Sequence, residues 1–213
     1  MSAPPDLRYL AVEGPIGAGK TTLARRLAER FGADLLLEDP AANPFLERFY
    51  RDMPRYALPT QLFFLFQRVH QLEPLAQPGL FDRPRVADFL FEKDALFARL
   101  TLSADELALY QRVYDALRPQ APTPDLVVVL EARPRTLAER VRRRAAAWER
   151  GITEDYLARL AEGYARFFHH YTAAPVLIVN SENLNFVERD SDLDLLVGRI
   201  RGMKSRREFF NLG

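Results

Sequence analysis

The fold is decided by the stretch Gly14-Pro15-Ile16-Gly17-Ala18-Gly19-Lys20-Thr21. It matches in full the pattern of one glycine, any four residues, and then glycine, lysine and a hydroxyl residue. The apolar run at 8–12 precedes it and predicts a buried strand. Residues 21–31 follow, with apolar side chains at helical spacing. A strand, a glycine-rich loop and a helix in this order predict a phosphate-binding loop, or P-loop.

Each part of this loop has a physical task in binding a nucleoside triphosphate. Glycines let backbone N–H groups converge on phosphate oxygens, and the helix N-terminus adds a favourable dipole. Lys20 can reach the β- and γ-phosphates as a catalytic cation, and Thr21 can ligate the Mg²⁺ that ATP carries. We therefore expect ATP with Mg²⁺ as the phosphoryl donor. The predicted ATP-binding residues are Gly14, Pro15, Ile16, Gly17, Ala18, Gly19, Lys20, Thr21 and Thr22.

The rest of the chain alternates between the two kinds of segment. Further strands are predicted at 34–37, 85–87, 126–130 and 175–179, and further helices at 58–75, 89–100, 102–117, 136–148, 154–171 and 193–203. Ser103 and Glu106 form the signature of a capping box at the start of one helix. The alternation predicts an α/β P-loop kinase fold, in which helices flank a doubly wound parallel sheet of about five strands.

Length and composition limit the classes of protein that are possible. The 213 residues fit a single domain over 1–213, and we expect the tail at 204–213 to be frayed. The 30 basic and 29 acidic residues nearly cancel, which argues against polymeric nucleic acid as a partner. There is no cysteine, no secretory signal and no apolar run long enough to span a membrane. A cytoplasmic protein without a membrane partner is the expectation.

Two acidic residues are predicted to follow strands directly. Glu38 comes after the strand at 34–37, and Asp88 after the strand at 85–87. In open α/β sheets the ligand crevice lies outside the carboxyl ends of the strands. A carboxylate near an acceptor hydroxyl assists phosphoryl transfer, so both acids are candidate catalytic residues, and Asp88 is also a candidate Mg²⁺ ligand. The alternative for either is an ordinary solvated or helix-capping acid.

An arginine-rich helix precedes a predicted lid at about 142–152. Four arginines lie within residues 140–144. Such a run is commonly a solvated helix face, but a kinase of this type also needs a mobile segment whose arginine stabilises the transferred phosphoryl group. Both interpretations stay open, and Arg144 is the candidate catalytic arginine.

Several segments together resemble the deoxynucleoside kinase family over about residues 9–186. The matching pieces are Glu13 to Thr22, Leu37-Glu38, Asn43-Pro44-Phe45-Leu46, Phe49-Tyr50, Gln61 with Arg68, Ala87-Asp88-Phe89, Phe97-Ala98, Pro124-Asp125-Leu126, and Glu149 before Tyr156. The resemblance implies that Glu38 is the general base for the 5′-hydroxyl of a deoxynucleoside. It implies also that Tyr50 and Glu149 hold the 3′-hydroxyl. A homodimer formed through helices is a further implication.

The same resemblance places three residues at the base of the substrate. Gln61 and Arg68 lie seven residues apart, so they share one face of a helix. A glutamine amide donates and accepts at once and can pair with a purine edge. Asp94 is a further candidate base contact.

The chain departs from the family pattern at two points. Many members have Asp-Arg-Ser where this chain has Asp88-Phe89-Leu90, and Lys93 is a candidate for the missing cation. Ala146 lies where relatives often have a second lid arginine. Arg144 is therefore the remaining candidate for the lid arginine. The Ala-Asp-aromatic form followed by a lysine resembles bacterial deoxyguanosine kinases most. We therefore expect ATP-dependent phosphorylation of a purine deoxynucleoside in nucleotide salvage, with deoxyguanosine favoured over deoxyadenosine.

Two other functions remain as alternatives. A thymidylate or other nucleoside monophosphate kinase shares the P-loop and the lid, but the stretch 38–61 offers three arginines without an Asp-Arg motif. A nucleotide-dependent regulatory switch would belong to another class, and the chain lacks an Asn-Lys-x-Asp guanine signature. Formation of ADP only when a nucleoside is present would distinguish the kinase from both.

Overall fold

A computed structural model describes residues 7–75, 83–118, 122–186 and 189–211. Within these ranges the strands are β1 Tyr9–Glu13, β2 Asp34–Leu36, β3 Arg85–Ala87, β4 Leu126–Glu131, β5 Val176–Asn180 and β6 Arg207–Phe210. The helices are α1 Lys20–Phe31, α2 Leu46–Arg51, α3 Met53–Leu72, α4 Lys93–Thr101, α5 Ala104–Leu117, α6 Pro134–Arg144, α7 Glu154–His170 and α8 Asp190–Arg201. Short 3₁₀ turns occupy Pro40–Ala42, Glu73–Leu75 and Ala147–Glu149.

The strands form one parallel sheet in the order β2-β3-β1-β4-β5-β6. β1 lies between β3 and β4, with Leu10 in register with Val86 and Leu126. β1 is buried along its whole length and β4 up to its last residue, as continuous apolar strands covered on both faces should be. The predicted α/β fold with a parallel sheet is confirmed. Its topology brings the ends of β1, β2 and β3 to one edge.

The core lies on both faces of this sheet because successive strand residues point to opposite sides. Leu10 and Val12 pack in one cluster with Leu23 and Leu27 of α1. Ala11 packs in a second cluster that contains residues of α4 and α7. A third cluster joins α3, α4 and α5 beside β1 and β3. Helices on both faces therefore fix the positions of the loops that follow β1, β2 and β3.

The sheet has six strands in the described residues, and not the five expected. β6 pairs in parallel with β5, so the prediction that 204–213 is frayed is wrong for Arg207–Phe210. Pairing satisfies the exposed backbone edge of β5, and the Arg207 guanidinium donates to the carbonyl oxygens of Phe168 and Tyr171 at 2.5 and 2.9 Å. The last two residues of the predicted tail lie outside the described part.

Three helices differ from their predicted bounds by four or more residues at one end. α6 ends at Arg144 instead of continuing to 148, because Ala145 adopts the left-handed conformation with φ 52° and its N–H caps the carbonyl of Val141. The segment 89–92 is not helical, and α4 begins only at Lys93. α3 begins five residues earlier than predicted, at Met53. The early end of α6 turns the chain towards the site.

The predicted capping box at the start of α5 is confirmed. The Ser103 hydroxyl accepts from the Glu106 backbone N–H at 3.5 Å, and the Glu106 carboxylate accepts from the Ser103 N–H at 2.9 Å. Each bond satisfies a backbone donor that the first helical turn would otherwise leave unpaired.

Replacing Ser103 by alanine should therefore lower the free energy of unfolding by about 1 kcal/mol. Urea denaturation followed by circular dichroism would measure this change. Glu106→Gln is the matched control, because a glutamine still completes the box and should cost less. Equal unfolding midpoints for Ser103→Ala and the wild type would contradict a stabilising role of the cap.

Candidate active site

The P-loop connects β1 to α1 in a conformation that requires glycine. Gly14, Gly17 and Gly19 have positive φ angles of 145°, 85° and 100°. A Cβ atom at Gly14 would lie 2.4 Å from the Leu130 carbonyl oxygen, and one at Gly17 would lie 2.7 Å from the Leu137 carbonyl oxygen. Conformation and space thus both exclude larger residues at Gly14 and Gly17.

Lys20 is the first residue of α1 and folds back over this loop. Its ammonium donates to the carbonyl oxygens of Gly14 at 2.8 Å and Pro15 at 3.3 Å. Burial lowers the pKa of Lys20, and the nearby charge of Lys93 lowers it further. The loop therefore fixes a cation at the helix N-terminus, where an anionic ligand is stabilised.

Thr21 and Asp88 meet at the mouth of the P-loop. The Thr21 hydroxyl donates to one carboxylate oxygen of Asp88, and the other oxygen accepts from the Glu38 backbone N–H at 2.8 Å. Burial raises the pKa of Asp88. A hydroxyl and a carboxylate are oxygen ligands of the kind that Mg²⁺ takes from proteins, with phosphates and waters completing the octahedron. These two residues fit an ion that arrives with a nucleotide. In the described residues no group of three or more His, Cys, Asp or Glu is placed to hold a metal.

Glu38 follows β2 and faces several cations. Its carboxylate accepts from Arg68 Nε at 2.6 Å and from Lys93 Nζ at 2.9 Å. Burial by itself would raise the pKa of Glu38, but the positive charges of Arg68, Lys93 and Lys20 outweigh burial and hold this pKa at about 2. The side chain is therefore an ionised carboxylate at neutral pH.

Arg68 lies between two carboxylates on α3. Its guanidinium pairs with Glu38 and also with Asp94, which is fully buried at the start of α4. Gln61 is buried two turns earlier on α3 and donates to the Thr101 hydroxyl at 3.4 Å. Asp94 accepts a hydrogen bond from the Arg68 guanidinium, and it does not line the cavity that contains Arg68. A direct contact between Asp94 and a base stays a prediction.

A cavity of about 90 Å³ collects most of the predicted substrate residues. The predicted residues that line it are Ile16, Lys20, Glu38, Tyr50, Gln61, Arg68 and Glu149. Lys93 joins them, and Phe64, Phe97, Trp148 and Tyr164 add aromatic surface. A mostly apolar pocket with a few convergent polar groups is typical of a small-molecule site.

The segment predicted as a lid follows α6 and lines this cavity with Trp148 and Glu149. The Arg144 guanidinium pairs with both carboxylate oxygens of Glu149, which is buried in the 3₁₀ turn that follows the helix. Gly151 packs directly on α2, where an added Cβ atom would lie 2.6 Å from the Tyr50 carbonyl oxygen. Arg144 is half-exposed and also lines a second, larger cavity along the P-loop. The segment thus touches both cavities.

The sequence of this chain is similar to those of known proteins. The sequence model of the family described as "Deoxynucleoside kinase" matches residues 10–203. The chain belongs to the deoxynucleoside kinase family. The predicted family is confirmed, and this kinase is a phosphotransferase.

Curated relatives agree with this assignment, and a solved structure agrees with the fold. "Deoxyguanosine kinase" of Bacillus subtilis (strain 168) is 32% identical, over 91% of this chain and 96% of that protein. "Deoxyadenosine kinase" of Lactobacillus acidophilus is 28% identical, over 85% of this chain and 89% of that protein. A structure of deoxyadenosine kinase from M. mycoides with bound dCTP superposes with a TM-score of 0.80, at 21% identity, over 92% of this chain and 100% of that one. That structure supports the fold.

The second cavity of the kinase contains residues that sequence reasoning missed. It measures about 680 Å³ and lies along the outer side of the P-loop, between Arg140 and Phe186. The Arg140 guanidinium donates to the Ala18 carbonyl at 3.3 Å and to the Ser181 hydroxyl and carbonyl at 3.0 and 2.7 Å. Arg140 is one of the four arginines at 140–144, but the sequence pattern did not distinguish its role from those of the other three. Phe186 gave no signal, because it reaches the site only through the loop after β5.

Glu13 is another site residue to which the sequence pattern assigned no role of its own. It ends β1, is fully buried, and lies beneath the P-loop. An acid at the end of an apolar strand gives a weak signal by itself. Among the described helices, none has both the length and the apolar character of a membrane span.

Proposed function

We propose that this kinase transfers the γ-phosphoryl group of ATP to the 5′-hydroxyl of a purine deoxynucleoside, with deoxyguanosine favoured and deoxyadenosine second. The observation that carries the proposal is the cavity that joins Glu38, Gln61 and Arg68 to Lys20 of the P-loop. In such a site a carboxylate can accept the proton of the hydroxyl while the donor phosphates lie at the loop.

The polar groups of the cavity favour a guanine base. Gln61 can donate and accept, whereas Arg68 can only donate. Guanine presents the two acceptors O6 and N7 on one edge, but adenine replaces O6 by an amino donor that opposes an arginine. Relatives named for deoxyguanosine and for deoxyadenosine are 32% and 28% identical to this chain, which supports a purine.

Tyr50 and Glu149 are suited to hold the 3′-hydroxyl of the deoxyribose. Burial raises the pKa of Tyr50 well above its usual value, so its hydroxyl remains a donor at neutral pH. Glu149 is held in place by Arg144 and can accept from a sugar hydroxyl. Together they would orient the 5′-carbon towards Glu38, and orientation is a large part of the catalysis of phosphoryl transfer.

The donor side fits ATP with Mg²⁺ at residues 14–22. Thr21 and Asp88 would hold the ion, which supplies charge neutralisation on the phosphates when it is bound. Arg144 lines the cavity beside the P-loop and is the candidate for stabilising the transferred group. A homodimer in the cytoplasm completes the proposal, as the family resemblance and the lack of cysteine suggest.

Release of ADP from ATP and Mg²⁺ tests the proposal directly. Each deoxynucleoside, ribonucleoside and deoxynucleoside monophosphate is supplied in turn to the purified chain. Turnover with deoxyguanosine, and more slowly with deoxyadenosine, is the expected result. Turnover only with a monophosphate would indicate a nucleoside monophosphate kinase, and ADP release without any acceptor would indicate a regulatory switch.

A further inference from the structure

Lys93 is a buried cation of the site, and the proposed function assigns it no part in the reaction. Lys93 begins α4 and is 3% exposed. Its ammonium lies 2.9 Å from a Glu38 oxygen and 3.1 Å from a Glu13 oxygen. A buried charge is costly unless it is paired, and here it is paired with two carboxylates from different strand ends.

Glu13 is the fixed end of this arrangement. One of its oxygens accepts from the Gly14 N–H and from the Tyr164 hydroxyl, each at 2.9 Å. The other accepts from the Leu90 N–H at 2.9 Å, in addition to Lys93. Three neutral donors from the P-loop, from α7 and from the segment before α4 thus hold the carboxylate rigidly. Because Glu13 cannot shift, it determines where the Lys93 ammonium lies.

Glu38 is the more exposed end of this arrangement. Its residue follows β2, the edge strand of the sheet, and its side chain is 12% exposed to the cavity. Arg68, its other direct cation, is shared with Asp94. Lys93 is therefore the contact that ties Glu38 to the base of the P-loop.

The residue type at this position is informative as well. Of the 30 basic residues only three are lysines. Lys20 and Lys93 line the same cavity, whereas Lys204 is exposed. The lysine ammonium is a compact point charge, and here it lies within 3.1 Å of both carboxylates.

We propose that Lys93 is a positioning residue for phosphoryl transfer, which holds the Glu38 carboxylate at a fixed place relative to the P-loop by bridging it to Glu13. This role rests on the proposed function of Glu38 as the base for the acceptor hydroxyl. A displacement of about 1 Å in a reacting group can cost about 10²-fold in rate, so loss of the bridge should act on turnover.

Kinetics of Lys93→Met with the best deoxynucleoside test this role. The kcat should fall about 10²-fold, while KM for ATP stays near the wild-type value because the P-loop keeps Lys20. Lys204→Met is the matched control and should retain wild-type kcat, since Lys204 is exposed and remote from the cavity. Thermal melting of each variant shows whether it is folded.

Chemical rescue separates a charge effect from a structural one. Adding ethylammonium chloride to Lys93→Ala should restore part of the lost kcat, whereas sodium chloride at equal ionic strength should not. Lys93→Met leaves the buried Glu13 carboxylate without an opposite charge, and this could prevent folding. In that case the double variant Lys93→Met with Glu13→Gln removes both charges. That variant should fold and show the same loss of kcat.

The outcomes divide clearly. A folded Lys93 variant with wild-type kcat, or a loss that ethylammonium does not reverse, overturns the positioning role while leaving the proposed function intact. Failure of every Lys93 variant to fold also overturns it, because the residue then serves the fold. A wild-type chain that phosphorylates no deoxynucleoside overturns the proposed function, and the role of Lys93 with it.

Discussion

Lys20→Ala is expected to reduce phosphoryl transfer by at least about 10²- to 10³-fold, the cost of removing a group that stabilises developing charge. The Lys20 ammonium is held at the start of α1 by the carbonyl oxygens of Gly14 and Pro15. Lys20 is the residue at which α1 begins. Lys93, the other lysine that lines the cavity, is already paired with Glu13 and Glu38. The P-loop would therefore lose the ammonium that it holds at the start of α1, and Arg144, on the other side of the loop cavity, does not take that place.

The measurement is kcat with the preferred deoxynucleoside, together with calorimetric titration of that nucleoside. Binding of the nucleoside should be nearly unchanged, because Gln61, Arg68 and Glu149 are untouched. Arg25→Ala is the matched control, since Arg25 is exposed on the same helix and should leave turnover at the wild-type level. Near-normal turnover of folded Lys20→Ala would reject the assignment of residues 14–21 as the catalytic P-loop.

The parts of the fold that the sequence predicted well are those with a strong local pattern. The P-loop, β1, β3 and β4 follow from a fixed motif and from continuous apolar runs bounded by turn residues. The capping box likewise depends only on Ser103 and its neighbours. Glu38 and Asp88 could be placed at one edge, because the carboxyl ends of parallel strands meet there.

The parts that were missed depend on distant partners. β6 contains one arginine and one acid in four residues, and it is a strand only because β5 offers an unpaired edge. α2 has six residues between Pro44 and Asp52, too few to show a helical period. The pattern predicts helix over 89–92, yet this segment is a non-helical link that ends in a turn at 91–92, and its Leu90 N–H donates to Glu13.

The same limit applies to the site. Gln61 and Arg68 are on one helix, so their common face could be deduced from spacing alone. The bridge from Glu13 through Lys93 to Glu38 joins the ends of β1 and β2 with the start of α4. Nothing in the local pattern of these three segments specifies that distance, because only the assembled sheet sets it.

Glu38→Gln is the second variant with a large expected effect, a loss of turnover of about 10² or more with ATP binding retained. A glutamine has nearly the same shape as glutamate but cannot accept the proton of the acceptor hydroxyl. The fold should survive the change, because Arg68 keeps Asp94 as a partner and Lys93 keeps Glu13. Neither cation is thus left buried without an opposite charge.

The low pKa of Glu38 sharpens the meaning of this experiment. Held at about 2, the carboxylate is ionised but is a weak base in the absence of substrate. In a loose transition state the acceptor needs little nucleophilic activation, so a fixed carboxylate that orients the hydroxyl contributes through position as well as through proton transfer. A substitution that preserves shape therefore isolates the role of the charge.

Turnover of Glu38→Gln and Asp88→Asn should be measured side by side, with ATP affinity determined by calorimetry in the presence of Mg²⁺. Asp88 contacts Thr21, so its replacement should weaken the binding of ATP with Mg²⁺ as well as turnover. Glu47→Gln is the control for the amide change, because Glu47 pairs with Arg51 on the exposed side of α2 and should behave as the wild type. A loss in Glu38→Gln smaller than that in Asp88→Asn, with ATP affinity unchanged in both, would transfer the role of base from Glu38 to Asp88.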